Sequence, residues 1–173
     1  MLVQPNHQAL HKVADIDPFS VEGIDWPERQ KEMFQIMKDK FGIGLAAPQL
    51  GESYRMFVMT HSTLGDIGVY NPEIISRSEE TACQEEGCLT FPLLFFMVTR
   101  PASCVVKYQD AFQEEQEMEL TGTDAQCFQH EFDHLLGLLY LEYASDLKLQ
   151  RAMKKREKTV QKLLKMQKNN EYS

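Results

Sequence analysis

Residues 129–134 read Gln129-His130-Glu131-Phe132-Asp133-His134, a His-Glu-x-x-His pattern. On a helix, residues four apart stand about 40° apart on one face, so His130 and His134 can aim two imidazoles at a single metal ion. Glu131 lies one step further round, beside the ion, where a carboxylate can take a proton from water that the ion polarises. The chain has five histidines. His7, His11 and His61 belong to no such pattern and read as surface or structural residues. Of four cysteines, Cys83, Cys88, Cys104 and Cys127, a reduced thiolate beside the histidine pair is a candidate third ligand. Cys83 and Cys127 read as packing residues.

These residues need a scaffold. Asp25 followed by Pro27 and Glu28 predicts a helix start, and Trp26, Met33, Phe34, Met37 and Phe41 fall on one helical stripe facing a core. The loop from Gly42 to Gly51 is small and apolar apart from Gln49. Its two glycines, Gly42 and Gly44, permit a tight bend and close approach, but no Lys-Ser/Thr follows to make a phosphate loop. Strands are expected over 55–60 and 67–70, with Gly65 between them and Asn71-Pro72 closing the second. Further strands are expected over 102–108 and 116–120, with a turn near Asp110. The apolar run from Leu93 to Val98 reads as a buried strand. Thr121 or Thr123 can cap the motif helix, which stops near Gly137. Ser145 or Asp146 caps a last helix over about 147–167, with a ragged apolar stripe from Leu149 to Met166. The order of helix, strands, helix and helix reads as α+β.

One domain is expected from 173 residues, with residues 1–147 as its body and 148–173 as a basic helix and tail of the same unit. The net charge of −8 is unevenly spread. Residues 148–173 hold nine Lys/Arg against Glu157 and Glu171, a local +7, which leaves −15 on the remainder. A basic tail on an acidic body suggests a partner of its own. No apolar run approaches membrane-spanning length, and no basic-then-apolar segment opens the chain, so a cytoplasmic protein with reduced thiols is expected.

Three segments together resemble peptide deformylase. They are Gly42-Ile43-Gly44-Leu45-Ala46-Ala47-Pro48-Gln49, then Glu86-Gly87-Cys88-Leu89, then Gln129-His130-Glu131-Phe132-Asp133-His134-Leu135-Leu136-Gly137. Leu10-His11-Lys12 and Asn71-Pro72-Glu73 agree more weakly. The resemblance spans the chain, including a C-terminal helix like that of the bacterial enzymes. It implies antiparallel and mixed sheets wrapped around the motif helix, and hydrolysis of the N-formyl group from the initiator methionine of nascent polypeptides, releasing formate.

By position in the motifs, the resemblance implies Cys88, His130 and His134 as metal ligands and Glu131 as general base. The Gln49 side chain and the Leu89 backbone N–H are implied as oxyanion donors. Gly42, Ile43, Gly44, Leu45, Glu86 and Gly87 are implied to line the extended peptide, and Thr123, Gln126 and Cys127 the pocket for the first side chain. Fe²⁺ is the implied physiological ion, with Zn²⁺, Ni²⁺ or Co²⁺ able to substitute. The implied partners are formyl-methionyl nascent peptides and the ribosome near its exit tunnel, reached by the basic helix; a monomer is expected and no membrane. A metallopeptidase or other amidase, or an inactive ribosome-attached metal-binding module, is the alternative. The chain departs from the family pattern at Gln84, Thr123 and Gln126, where aliphatic residues are usual, and around Phe95, where a polar segment with an arginine is usual.

Overall fold

The computed structural model describes residues 1–171. Helix α1 spans Trp26–Asp39 and starts where the Asp25 carboxylate accepts the Glu28 backbone N–H at 3.0 Å. It buries Trp26, Met33 and Met37. The stripe expected to continue to Phe41 ends sooner. Phe41 N–H donates to the Lys38 carbonyl and Gly42 N–H to the Met37 carbonyl, both at 2.9 Å, and Phe41 turns left-handed with φ of 58°. This reversal is the common way to end a helix, and it swings the Phe41 ring out of the core.

Seven strands follow: β1 Gly44–Ala46, β2 Met56–His61, β3 Gly65–Arg77, β4 Thr81–Cys88, β5 Phe91–Pro101, β6 Ser103–Gln109 and β7 Glu115–Thr121. They form a five-stranded sheet in the order β1-β2-β3-β6-β7 and a separate two-stranded sheet, β4-β5. Every paired strand is antiparallel. β3 does not close at Asn71-Pro72 as expected. The ladder shifts register between Tyr70 and Glu73, with Asn71 at φ 48°, and then continues to Arg77. A bulge is where a sheet tolerates a proline that cannot donate.

β4 has no sequence signal of its own and was not expected; pairing with β5 holds it extended. β5 is also not the uniformly buried strand expected for Leu93 to Val98. It alternates, with Leu94, Phe96 and Val98 buried and Leu93, Phe95 and Met97 facing out. Period-two side-chain direction makes this the default for a strand covered on one face.

Helix α2, Gly122–Leu135, carries the His-Glu-x-x-His motif through the centre of the molecule. Phe128 packs edge-on to Phe57 of β2 at 5.0 Å between ring centroids. Ala125, Phe128 and Leu135 share a core with Met59, Val69, Val106 and Leu120. Thr121 precedes the helix, but its side chain makes no capping bond. Asp124 in the first turn instead accepts the Ser62 N–H and O–H at 3.0 and 2.5 Å, tying the β2–β3 turn to the helix.

Helix α3, Asp146–Glu171, starts where the Ser145 hydroxyl accepts the Lys148 N–H at 3.4 Å. It is pinned to β5 by the Lys148 Nζ bond to the Met97 carbonyl at 2.7 Å and the Arg156 Nε bond to the Pro92 carbonyl at 2.8 Å. Among its described residues, Leu149 and Ala152 join the β5 core. Met153, Leu163, Leu164 and Met166 are exposed, so the ragged stripe does not pack along its length. Among the described residues, no helix is long and apolar enough to cross a membrane.

Because α1 ends at the Gly42–Gly44 wall of the site, its cap matters. Asp25→Ala is expected to lower unfolding free energy by about 1 kcal/mol, read by urea or thermal unfolding, with Asp25→Asn close to wild type.

Candidate metal centre

Helix α2 is unusual in burying Gln126, Gln129, His130, Glu131, Asp133 and His134. Buried polar groups require partners, and for Gln126, His130, Asp133 and His134 partners come from the other sheet. Cys88 ends β4, and its Sγ lies 3.3 Å from His134 Nε2. The ligand atoms of Cys88, His130 and His134 all lie within 4.8 Å of one another. Donors on a tetrahedral ion stand about 3.5 Å apart, from bond lengths of about 2.3 Å to sulfur and 2.0–2.1 Å to nitrogen. The Cys88–His134 pair stands close to that spacing, and all three donors are near enough to one another to share one ion. Buried His134 Nδ1 has no hydrogen-bond partner, which leaves its Nε2, beside the sulfur, as the nitrogen turned to the other donors.

His130 is oriented from behind. Its Nδ1–H donates to Glu86 Oε2 at 2.9 Å, which turns Nε2 toward the cluster. Such a carboxylate behind a ligating histidine fixes both ring position and tautomer. Glu86 also accepts Arg100 Nε at 2.6 Å and Nη2 at 3.1 Å, and Gln126 Nε2 at 2.6 Å. The second arm of Arg100, Nη1, donates to Asp133 Oδ2 at 2.7 Å, and Tyr143 Oη donates to that same oxygen at 2.9 Å. The Tyr143 ring lies 4.5 Å from the guanidinium carbon.

The surroundings sort the ionisable groups. Burial raises the Glu131 carboxyl to about 7, near where a general base works best at neutral pH. Its Oε2 is buried without a partner. Burial opposes a charge on Glu86, yet hydrogen bonds from His130 and Arg100 hold it at about 2, a permanent anion. Burial likewise opposes a charge on His130, but bonds to Cys88 and Glu86 raise it to about 10; a bound metal would displace that proton. Burial keeps His134 neutral, well below the usual histidine range. Cys127, one turn before Glu131, is driven upward by burial and by the nearby carboxylates. It stays a thiol, bonded to the Ile43 carbonyl at 3.5 Å.

Gln49 is buried with a fixed orientation. The Ala46 N–H donates to its Oε1 at 2.8 Å. Its Nε2 therefore turns to the cluster, 3.3 Å from Cys88 Sγ and 3.2 Å from Thr90 Oγ1. The glycines of the Gly-x-Gly loop have a steric explanation. A β-carbon on Gly44 would lie 2.4 Å from Glu131 Oε1, and one on Gly42 would lie 2.7 Å from the Leu89 side chain.

A cleft of about 520 Å³ opens over this cluster. Gly42, Ile43, Gly44, Glu86, Gly87, Cys88, Leu89, Thr123, Gln126, Cys127, His130 and Glu131 line it, as does Gln84. All three unusual polar residues thus border the cleft, with the Gln126 amide N–H committed to Glu86. The Leu45 side chain is fully buried in the α1 core, so within β1 this residue has only its backbone to offer a peptide. Cys83 is exposed rather than packed. His7 and His61 accept local backbone N–H groups, and His11 meets the Pro5 carbonyl.

Arg100, Asp133 and Tyr143 were missed by the sequence reading. The available signal was parity: Arg100 continues the buried side of β5 after Leu94, Phe96 and Val98, and a buried arginine needs carboxylates. Replacing it with methionine leaves Glu86 and Asp133 buried without their cation. Arg100→Met is expected to destabilise the fold by about 3–5 kcal/mol, measured by denaturant unfolding; a change below 1 kcal/mol would contradict the network's role.

Comparison with known proteins agrees with this geometry. Residues 1–150 match the family model described as polypeptide deformylase. A peptide deformylase of Mesorhizobium japonicum is 43% identical over 144 residues, covering 80% of this chain and 82% of that protein. One of Wolbachia pipientis wMel is 40% identical over 143 residues, covering 76% and 80%. The crystal structure of a peptide deformylase from Legionella pneumophila superposes with a TM-score of 0.81 at 33% identity, covering 95% of this chain and 96% of that one. That from Thermotoga maritima gives 0.77 at 39% identity, covering 84% and 97%. With its motifs gathered at one cleft and relatives matching across most of its length, the chain belongs to the polypeptide deformylase family.

Proposed function

We propose that Cys88, His130 and His134 hold one divalent ion and that Glu131 is the general base of a formyl-amide hydrolysis. Membership of the family makes the chain a metal-dependent enzyme that removes the N-formyl group from nascent polypeptides. The observation that carries the assignment of roles is the convergence of three donor atoms within 4.8 Å beside a carboxylate that burial raises to about 7. One thiolate and two imidazoles suit zinc, iron, nickel and cobalt alike. Such an ion, when bound with an open position, supplies a Lewis acid and a nucleophile at neutral pH.

The chain's own groups do the rest. Glu131 takes the proton from the attacking water and returns it to the departing amine nitrogen as the C–N bond breaks. Between these two transfers, while the formyl carbon is tetrahedral, negative charge stands on the formyl oxygen. Gln49 Nε2, aimed by its Oε1 bond to Ala46, and the Leu89 backbone N–H are the donors assigned to that oxygen. Removal of one such donor typically lowers the rate by about 10²–10³. The peptide lies extended between Gly42–Gly44 and Glu85–Gly87, read through its main chain, with its first side chain against Gln84, Thr123 and Gln126. Among the described residues, the third donor atom beside the histidine pair belongs to Cys88 and not to another histidine or a carboxylate, which favours this reading over an ordinary metallopeptidase.

Fe²⁺ is the ion we assign physiologically, and the cytoplasm the compartment, on the family resemblance and the unpaired thiols. The basic helix is assigned to the ribosome near the exit tunnel. Exposed Lys154, Lys155, Lys158 and Lys162 support that docking, whereas Arg156 is partly committed to the Pro92 carbonyl.

The test is formate release from formyl-Met-Ala-Ser by protein loaded anaerobically with Fe²⁺. Turnover is expected, lost on chelation and restored by Fe²⁺. Glu131→Ala should bind one ion per chain and lose about 10²–10⁴ in kcat. Absence of turnover from wild-type protein holding one ion per chain would overturn the assignment.

A further inference from the structure

Four large apolar side chains stand in solvent around the mouth of the cleft: Phe41, Ile43, Leu93 and Phe95 are 97%, 52%, 38% and 47% exposed. Single exposed apolar residues need no explanation, but four of them lining the mouth of one cleft do. Two of the four occupy backbone positions that disfavour them. Phe41 has φ of 58° and Leu93 φ of 64°. At the end of α1 glycine is the residue that local energetics prefer, yet this chain puts there an aromatic ring with almost no protein contact. Strain of this kind persists where a site gains from it. The opposite wall is built with the same emphasis. The Phe95 ring lies on Gly87 so closely that a β-carbon there would fall 2.3 Å from it. The ring therefore has a set position and loses little freedom on binding. Ile43 is anchored through its carbonyl, which accepts the Thr60 N–H at 2.9 Å and the Cys127 thiol at 3.5 Å, while its side chain stays outside.

We propose that Phe41 and Phe95, with Ile43 and Leu93, form an apolar clamp that selects formyl peptides with apolar side chains at their second and third residues. The proposal rests on the deformylase reading of the cleft. The occupant follows from continuity: a peptide whose formyl end lies at Glu131 and whose chain runs between Gly42–Gly44 and Glu85–Gly87 leaves the cleft past these rings. Main-chain pairing is indifferent to side chains, so the clamp supplies a selectivity that pairing lacks.

The experiment compares kcat/KM of the Fe²⁺-loaded full chain for formyl-Met-Leu-Leu and formyl-Met-Ser-Ser, both uncharged in their side chains. Formyl-Met-Ala, too short to reach both rings, is the control. A preference for the leucine peptide of about tenfold or more is expected from partial burial of two leucines, carried in KM. Phe41→Ser and Phe95→Ser should each reduce that ratio several-fold, and Phe95→Leu should keep most of it. A wild-type ratio near one, with formyl-Met-Ala turned over, overturns the clamp alone and assigns the rim to another occupant, such as a second copy of this chain. A ratio unchanged in both serine variants also overturns it. Failure to turn over any of the three peptides sinks the deformylase reading and the clamp with it.

Discussion

The guanidinium of Arg100 lies buried between the carboxylates of Glu86 and Asp133, and the candidate metal centre depends on that arrangement. The motif helix by itself offers two imidazoles. The Cys88 thiol, the candidate third donor, sits on a two-stranded sheet that pairs with no strand of the main sheet. A cation held from β5 to one carboxylate on β4 and another on α2 sets the spacing between these elements. Burying three charges is expensive, and each is compensated only because the others are present with their hydrogen bonds made. Glu86 uses the same fixed charge to orient His130. The network that positions the sheet therefore also turns the other imidazole nitrogen of His130 toward Cys88 and His134.

Close approach on the other side has a different origin. β1 can lie against α2 because Gly44 leaves room for the Glu131 carboxylate, and Gly42 leaves room for Leu89. Apolar packing of Phe57 against Phe128 and of the α1 core against β1 and β2 holds that wall in place. Packing thus brings the backbone to the Glu131 carboxylate, while charge brings the thiol to the histidines. The cleft between the two walls is shaped by small residues at its floor and large apolar ones at its mouth.

Much of this was legible in the residues. The His-Glu-x-x-His spacing, the Asp25-Pro27 helix start and the three motifs pointed to the helix, the cleft and the family. What escaped were features decided by tertiary context. β4 has little strand character and exists through pairing with β5. β3 passes through Asn71-Pro72 because a bulge absorbs the proline. Phe41 continued a helical stripe on paper, but a left-handed residue at the helix end turned it outward. Leu93 to Val98 read as uniformly apolar, and only the covered face of the second sheet decides which half is buried. Arg100 looked unremarkable until its neighbours on the strand showed that it points inward.

One thiolate and two imidazoles are the groups we assign to a shared ion. X-ray absorption at the metal edge of the zinc-loaded protein tests that assignment most directly. One sulfur at about 2.3 Å and two imidazole nitrogens at about 2.0–2.1 Å are expected, with the sulfur shell lost in Cys88→Ser. A first shell of nitrogen and oxygen alone in the wild-type protein would contradict the account.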